Sequence, residues 1–263
     1  MYILKTVNAN MQAHGGFVWP TQGPVEAPDW NAEPVCGGGL HGLPNGEGDG
    51  SLLNWSDEAK WVVWEAKDEE VVIFEGRDKC KAPRGNVLFV GNRKEATDYL
   101  QTVCPGRAIV GAYVVADYQG GHTTAGDRGH ATAGNGGHAT AGYEGHATAG
   151  DEGHATAGDR GHATAGYKGH ATAGNGGHAT AGNGGGHATA GDRGHATAGN
   201  YGRATAGDRG HATAGDKGRL QIDWWDAKAD RYRTAIAYVG EDGIEPNVTY
   251  KLDDEGKFIK VEE

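Results

Sequence analysis

Residues 129–136 read Gly-His-Ala-Thr-Ala-Gly-Asn-Gly, and eleven further near-copies of this octapeptide, Gly-His-Ala-Thr-Ala-Gly-x-x, fill the chain between residues 121 and 217. The register breaks once, at one extra Gly in the turn at 183–185. A short fixed period gives every unit the same neighbours, which predicts a fold that grows in one dimension.

The octapeptide has the alternation of a β-strand. His-Ala-Thr-Ala places His and Thr on one side of an extended chain and both Ala on the other. The Gly-x-x-Gly remainder is typical of a turn, with Gly free to adopt positive φ. Two octapeptides then close one coil of sixteen residues around stacked Ala methyls. Twelve predict a β-solenoid of about six coils, roughly 28 Å long at ~4.7 Å per coil.

Three other structures fit the repeats less well than a β-solenoid. A helix would hold at least two Gly per octapeptide, each costing about 0.8–1.0 kcal/mol relative to Ala. Collagen needs a period of three, and the tract contains no Pro. A disordered Gly-rich linker does not explain the strict alternation of His, Ala, Thr and Ala.

Charge and cysteine content limit the class of protein to which this chain can belong. The chain has 263 residues and a formal net charge of −11. The repeats hold eight acidic and seven basic residues, so −10 of that charge lies in the flanks. This acidity argues against a nucleic-acid-binding protein. Three cysteines without metal-type spacing predict neither a disulfide framework nor a metal site. The absence of a signal peptide and of a bilayer-length apolar run predicts a cytoplasmic chain that does not span a membrane.

The flanks predict four segments: an α+β N-terminal domain (1–105), a lead-in (106–120), the solenoid (121–217) and a β-rich C-terminal cap (218–263). Before the repeats, strands are predicted over 2–7, 60–66, 70–75, 86–91 and 108–116, and a helix over 93–103. After the repeats, strands are predicted over 220–225, 232–239 and 248–252. A solenoid must cover its open edge, and the last segment is suited to that role.

Three stretches together resemble the bacterial ice nucleation proteins. Met-Gln-Ala-His-Gly-Gly-Phe-Val-Trp-Pro at 11–20 and Ala-Pro-Arg-Gly-Asn-Val at 82–87 are similar to that family's N-terminal domain. The octapeptides, above all those ending Ala-Gly-Asp-Arg, resemble its repeats, and Gly-Glu-Asp-Gly-Ile-Glu at 240–245 resembles its C-terminal cap. The resemblance implies a non-catalytic, self-assembling solenoid that orders water or ice, with peripheral membrane or cell-surface association.

The repeats depart from the family at one position. The family's water-ordering motif is Thr-x-Thr, and its first Thr is replaced here by His in eleven octapeptides and by Arg203 in another. The predicted ice-facing threonines are Thr124, Thr132, Thr140, Thr148, Thr156, Thr164, Thr172, Thr180, Thr189, Thr197, Thr205 and Thr213. The histidine ladder comprises His122, His130, His138, His146, His154, His162, His170, His178, His187, His195 and His211. By resemblance to the family's basic coils, Arg203, Arg209 and Arg219 are assigned to self-assembly.

The Thr and His rows also have other interpretations. A Thr row suits any solvated strand, and a His row suits stacked, half-exposed aromatic residues. Stacked imidazoles can share a metal, but a uniform ladder offers no second shell, so no cofactor and no functional metal are predicted. The string around Cys36 and His41 lacks the order of a nucleophile and its base, so an enzyme is not predicted. We therefore expect weak ice binding and self-assembly, or alternatively a scaffold whose His/Thr face binds another ligand, metal or protein.

Overall fold

The computed structural model describes residues 1–76 and 79–262. The chain is mainly β, with 42% strand and 7% helix, and it divides into two compact units. The first unit comprises Met1–Tyr113 with Ala125–Asp127, and the second comprises Val114–Thr124 with Arg128–Glu263. Among the described residues, no helix combines the length and the apolar character needed to cross a membrane.

The first unit is built on a seven-stranded antiparallel sheet and one α-helix. Its strands are β1 (Tyr2–Val7), β2 (Gly23–Glu26), β3 (Leu40–Pro44), β4 (Lys60–Glu65), β5 (Val72–Ile73), β6 (Cys80–Ala82) and β7 (Arg84–Gly91). They lie in the order β2-β7-β4-β1-β3-β6-β5. Helix α1 (Arg93–Val103) begins at Asn92, whose side chain accepts the Glu95 N–H in a capping box. Short 3-10 helices lie at Gly50–Leu52 and Asp68–Glu70.

The sequence predicted β1 and α1 with their observed bounds, and β4 and β7 to within two residues. It missed β2, β3 and β6, and the strand expected over 70–75 is reduced to β5 by the preceding 3-10 turn. The miss at β3 has a steric cause. Gly42 suggested a loose loop, but a Cβ there would collide with the Ile3 side chain and the Leu4 carbonyl. Glycine is needed because β3 packs closely against β1.

The second unit is the solenoid, made of two parallel sheets of coil-stacked strands closed by antiparallel cap strands. One sheet contains β8 (Tyr113–Ala116), β10 (His130–Ala133), β12 (His146–Ala149), β14 (His162–Ala165), β16 (His178–Ala181), β18 (His195–Ala198) and β20 (His211–Ala214). The other contains β9 (His122–Thr124), β11 (His138–Ala141), β13 (His154–Ala157), β15 (His170–Ala173), β17 (His187–Ala190), β19 (Arg203–Ala206) and β21 (Arg219–Asp226).

The predicted coil architecture is confirmed, with about seven stacked coils of about 16 residues where the sequence predicted about six. The additional coil comes from the two flanking strands, because β8 pairs with β10 and β21 pairs with β19. The strand predicted over 108–116 begins only at Tyr113. Neither β8 nor β21 carries the octapeptide, so counting repeats alone underestimates the stack.

Alanine fills the interior of the solenoid, as the alternation predicted. In β12 the residues alternate exposed and buried, and the inward alanines are at most 4% exposed. Burying a methyl group contributes less than 1 kcal/mol. The backbone ladder therefore supplies much of the order: the His138 N–H donates to the Gly121 carbonyl at 2.8 Å, and the same contact recurs in later coils.

We expect Ala149→Leu to overpack this interior and to lower the free energy of unfolding by about 1–3 kcal/mol. Ala149 is 3% exposed, and its methyl faces alanines of the neighbouring coils. Thr148→Leu is the matched control, because Thr148 is exposed on the same strand. Urea denaturation monitored by circular dichroism measures both variants. A silent Ala149→Leu beside a destabilised Thr148→Leu would reverse the facing of the strand.

The repeat glycines serve a different purpose from the one predicted. Positive φ falls on the second turn residue, such as Arg160 at 55° and Lys168 at 53°, and not on the glycines that frame the turn. A Cβ added at the framing Gly158 would lie 2.8 Å from the carbonyl carbon of Gly142 in the preceding coil. The framing glycines are therefore required by the close approach of successive coils.

Gly158→Ala is accordingly expected to destabilise the solenoid by about 1–3 kcal/mol, because a backbone carbonyl cannot move aside as a flexible side chain can. The control is Gly176→Asn. Gly176 has φ of 63° at the second turn position and corresponds to Arg160 in another repeat. A Cβ there would meet only the flexible Arg160 side chain, at an ordinary contact distance of 3.6 Å. Asn tolerates left-handed φ, so this variant should unfold within about 0.5 kcal/mol of wild type. Equal loss in both variants would refute the steric explanation.

The first turn residue forms a second ladder that the sequence analysis missed. The Asp159 carboxylate accepts the Asn175 backbone N–H at 2.8 Å, and Asn175 in turn accepts the N–H of Asp192. Asn183 and Asn200 repeat the arrangement at the opposite corner. The preference for Asn and Asp at this position was read only as turn chemistry. Its cause includes this hydrogen bond to the next coil.

The cap closes the C-terminal end of both sheets. Strand β22 (Arg231–Tyr238) pairs antiparallel with β21, and β23 (Thr249–Leu252) pairs antiparallel with β20 and with β24 (Phe258–Lys260). Leu220 and Ile222 of β21 are at most 1% exposed. These larger side chains replace alanine in the last coil.

Candidate functional site: threonine and histidine ladders

The solenoid presents two exposed faces, each with one Thr row and one His row. The first face is formed by β9 and every second strand up to β19, and the second face by β10 and every second strand up to β20. Residues of successive coils are in register, as His130 is with His146 and Thr132 with Thr148. Consecutive octapeptides enter opposite sheets, so the twelve threonines divide six and six between the two faces, and the eleven histidines divide five on the first face and six on the second.

Nine of the twelve ladder threonines are exposed, and Thr132, Thr205 and Thr213 are half-buried. The rows of the first and second face end differently. Gln221 follows Thr205 in register on the first face. On the second face the Thr213 hydroxyl lies 2.8 Å from the Thr249 hydroxyl of the cap. Between these ends, hydroxyl and methyl groups recur once per coil.

The imidazoles form two columns of stacked rings. Neighbouring ring centroids lie 4.7–4.8 Å apart with interplanar angles of 2–10° along most of both columns. His170 and His187 are tilted by 49°. The last pair is at 64°, with His211 Nδ1 3.2 Å from His195 Nε2. The columns therefore behave as packed aromatic stacks on a solvated surface.

Stacking works against a chelating site. The lone pairs of two parallel rings point in the same direction and do not converge on a shared ion. Within residues 1–76 and 79–262, no group of three or more His, Cys, Asp or Glu side chains is placed to hold a metal.

The pKa of six ladder histidines is lowered from the ordinary value. Burial is the larger cause in each. The charges of neighbours in the same column follow in five of them, as His162 acts on His146, and for His211 the second cause is the charge of Lys251. The pKa of His187 is lowered by burial and also by His170, Arg203 and Arg219. The affected residues are His138, His146, His178, His187, His195 and His211. Desolvation is thus a larger cause than charge repulsion between the stacked rings.

The three arginines assigned to assembly do not lie together. Arg203 and Arg219 are adjacent in register and continue the His row of the first face. Arg209 lies in a turn, with φ of 54° and its Nε 3.7 Å from the Asp208 carboxylate. The octapeptide already separates them, since Arg203 takes the His position and Arg209 a turn position of the same repeat. The pairing of Arg203 with Arg219 depends on alternate octapeptides sharing a sheet.

The repeat region is similar to curated ice nucleation proteins. One from Xanthomonas campestris pv. translucens is 40% identical over 102 residues, which is 39% of this chain and 6% of that protein. The ice nucleation protein InaU of Pantoea ananas is 40% identical over 100 residues, 37% of this chain and 10% of that protein. One from Pseudomonas fluorescens is 36% identical over 98 residues, 37% of this chain and 8% of that protein.

The chain spans a tenth or less of the length of these relatives. No family model matches the chain, and no solved structure matches it. The resemblance of residues 11–20, 82–87 and 240–245 to the family's N-terminal domain and cap stays a prediction. Two octapeptides of the matched repeat region make up one sixteen-residue coil of the structure, so the sequence similarity and the fold describe the same repeat. The repeat region of this chain is therefore similar in sequence to the repeats of ice nucleation proteins.

Proposed function

We propose that this chain is a non-catalytic, self-assembling solenoid with weak ice-binding activity on its two Thr/His faces. The observation that carries the proposal is the in-register Thr row on each face. Hydroxyl groups that donate and accept hydrogen bonds, beside methyl groups, recur at one coil spacing on a rigid sheet. Such a surface holds adjacent waters in a repeating arrangement.

Histidine is the reason for the expected weakness. Each strand pairs its exposed Thr with an imidazole two residues earlier, as Thr156 is paired with His154. The stacked rings occupy the row that a second Thr would occupy in a Thr-x-Thr motif. An imidazole is larger than a hydroxyl group with a methyl group and presents a flat apolar ring face. The width of each water-ordering strip is therefore reduced to a single Thr row.

Self-assembly is supported by the cap and by the arginine pair. Strand β22 is the edge strand of its sheet, and its Tyr232, Ile236 and Tyr238 are 63%, 49% and 51% exposed. Long edge strands with exposed apolar residues pair with other chains. Arg203 and Arg219 extend a row on the first face, where acidic groups of a second copy would meet them. Such contacts weaken as salt is added.

The relatives' names refer to ice nucleation and to no catalytic activity, which supports a non-enzymatic role. The similarity to ice nucleation proteins also supports association with the cell surface in place of the cytoplasmic location expected from the sequence. The alternative function is a scaffold whose His/Thr face binds another ligand or protein.

Droplet freezing of the purified full chain separates the two functions. Monomeric and assembled fractions, at equal mass concentration, are compared with buffer. The proposal expects freezing above the buffer temperature, and more so for the assembled fraction, because a larger ordered face templates a larger ice embryo. Freezing indistinguishable from buffer in both fractions would favour the scaffold. In a parallel arm, Ile236→Lys with Tyr238→Lys should reduce light scattering by the assembled fraction.

A further inference from the structure

The first unit contains a cavity of about 530 Å³ that the ladder function does not use. Its wall includes β1, β3 and the Gly-rich segment that precedes β3. A volume between about 300 and 1,000 Å³ is typical of small-molecule sites. The cavity is therefore large enough for an organic ligand.

Lysine ammonium groups meet at this cavity without acidic partners. Lys5 and Lys79 line it, and within the described residues neither forms an ion pair. Lys79 Nζ lies 3.6 Å from Cys36 Sγ, and Lys5 Nζ lies 5.6 Å from the centroid of the Trp19 ring. Asp29 also lines the cavity, but its carboxylate accepts the Gly39 N–H at 3.2 Å.

The positive charge at the cavity lowers the pKa of the groups around it. The pKa of Lys5 is lowered to about 8, first by burial and then by the charge of Lys79. The pKa of His41 is lowered to about 4 by burial, followed by the charges of Lys79, Lys5 and Lys81. His41 lines the same cavity and its Nδ1 is buried without a hydrogen-bond partner. An anion entering the cavity would relieve this repulsion.

The rest of the wall is apolar and aromatic. Phe17, Trp19, Leu40, Leu43 and Leu52 all line the cavity. Phe17 is half-buried and Leu52 is exposed, and they present accessible apolar surface, while the buried Trp19, Leu40 and Leu43 lie behind them. Phe17 and Trp19 meet edge to face with centroids 6.0 Å apart, and Trp19 packs on the buried Trp64 at 5.5 Å. This wall is anchored in the core of the first unit. It offers a fixed apolar surface next to the two ammonium groups.

We propose that this cavity binds a small organic anion, with its acidic group at Lys5 and Lys79 and its apolar body against Phe17 and Leu52. The unpaired lysines select the negative charge. The aromatic and aliphatic wall selects the apolar body. A fully hydrated inorganic anion would leave that wall uncovered, so it satisfies only half of the site. This binding is independent of the proposed ice-facing ladders.

Isothermal titration of the full chain at pH 7 tests the proposal with 2-naphthoate, its neutral counterpart 2-naphthamide, and inorganic phosphate. We expect naphthoate to bind at least about tenfold more tightly than naphthamide, a difference of about 1.4 kcal/mol, and more tightly than phosphate. Lys5→Gln and Lys79→Gln should each weaken naphthoate by about tenfold and leave naphthamide unchanged. Lys60→Gln, at an exposed lysine of β4, is the matched control and should change neither.

Equal affinity for the acid and the amide, or no binding of naphthoate to the wild-type chain, would overturn the proposal. Phosphate binding as tight as naphthoate would overturn the role of the apolar wall. Circular dichroism melts establish that each variant is folded. If Lys5→Gln fails to fold, Lys79→Gln decides the question, because Lys79 is not in the buried core of the unit.

Discussion

Acidification from pH 7 to pH 5 is expected to lower the thermal unfolding midpoint of the solenoid by roughly 10 °C. Two unit charges ~4.7 Å apart repel by about 3.5 kcal/mol at an effective dielectric of 20. One kcal/mol corresponds to about 2–4 °C for a unit of this size. The stacked rings have that spacing, so charging even one neighbouring pair produces a shift of this size.

The direction follows from the lowered pKa of six ladder histidines, among them His146 and His178. Between the unfolded value, about 6.5, and the lower folded value, the unfolded chain binds more protons than the folded chain. Stability is therefore greatest above pH 6.5 and is lost as the pH falls below it. Carboxylates with a lowered pKa, such as Asp226 and Asp253, add their loss at lower pH, near or below their ordinary value of about 4.

A variant with all eleven ladder histidines replaced by Thr is the control. It keeps His41, whose pKa of about 4 makes the first unit acid-sensitive in both proteins. Differential scanning calorimetry and light scattering from pH 7.5 to 4.5 should therefore show a smaller loss of thermal stability in the variant than in wild type. The difference between the two proteins should be confined to the unfolding transition of the solenoid. Superimposable profiles of the two proteins would refute the ladder explanation.

The sequence was most informative where local pattern and tertiary structure agree. The alternation in His-Ala-Thr-Ala set the inward alanines because a strand has only two faces. The helix predicted over 93–103 coincides with α1. The strand β1 was equally clear, since its apolar residues are buried at the centre of its sheet.

What the sequence could not supply depends on contacts between coils. The framing glycines are explained by carbonyls sixteen residues earlier, as Gly158 is by Gly142. The Asn and Asp ladders depend on an N–H in the next coil, as in the pair Asp159 and Asn175. The pairing of Arg203 with Arg219 depends on which octapeptides share a sheet. Each of these requires knowing how the coils stack before the residue can be interpreted.

The ice-facing role of the ladders is tested most directly by droplet freezing of the eleven-fold His→Thr variant beside wild type. This change converts each His-x-Thr strand to Thr-x-Thr and doubles the number of Thr rows on each face. The control is the same set of positions changed to Gln, which removes the rings and their charge without adding the Thr methyl and hydroxyl. All three proteins are compared as monomers and as assemblies of equal mass.

We expect a higher median freezing temperature for the His→Thr variant than for wild type, with the larger gain in the assembled fraction. The Gln variant should freeze near wild type. An unchanged freezing temperature after full His→Thr replacement, or an equal rise in the Gln variant, would contradict the assignment of the Thr rows as a water-ordering surface.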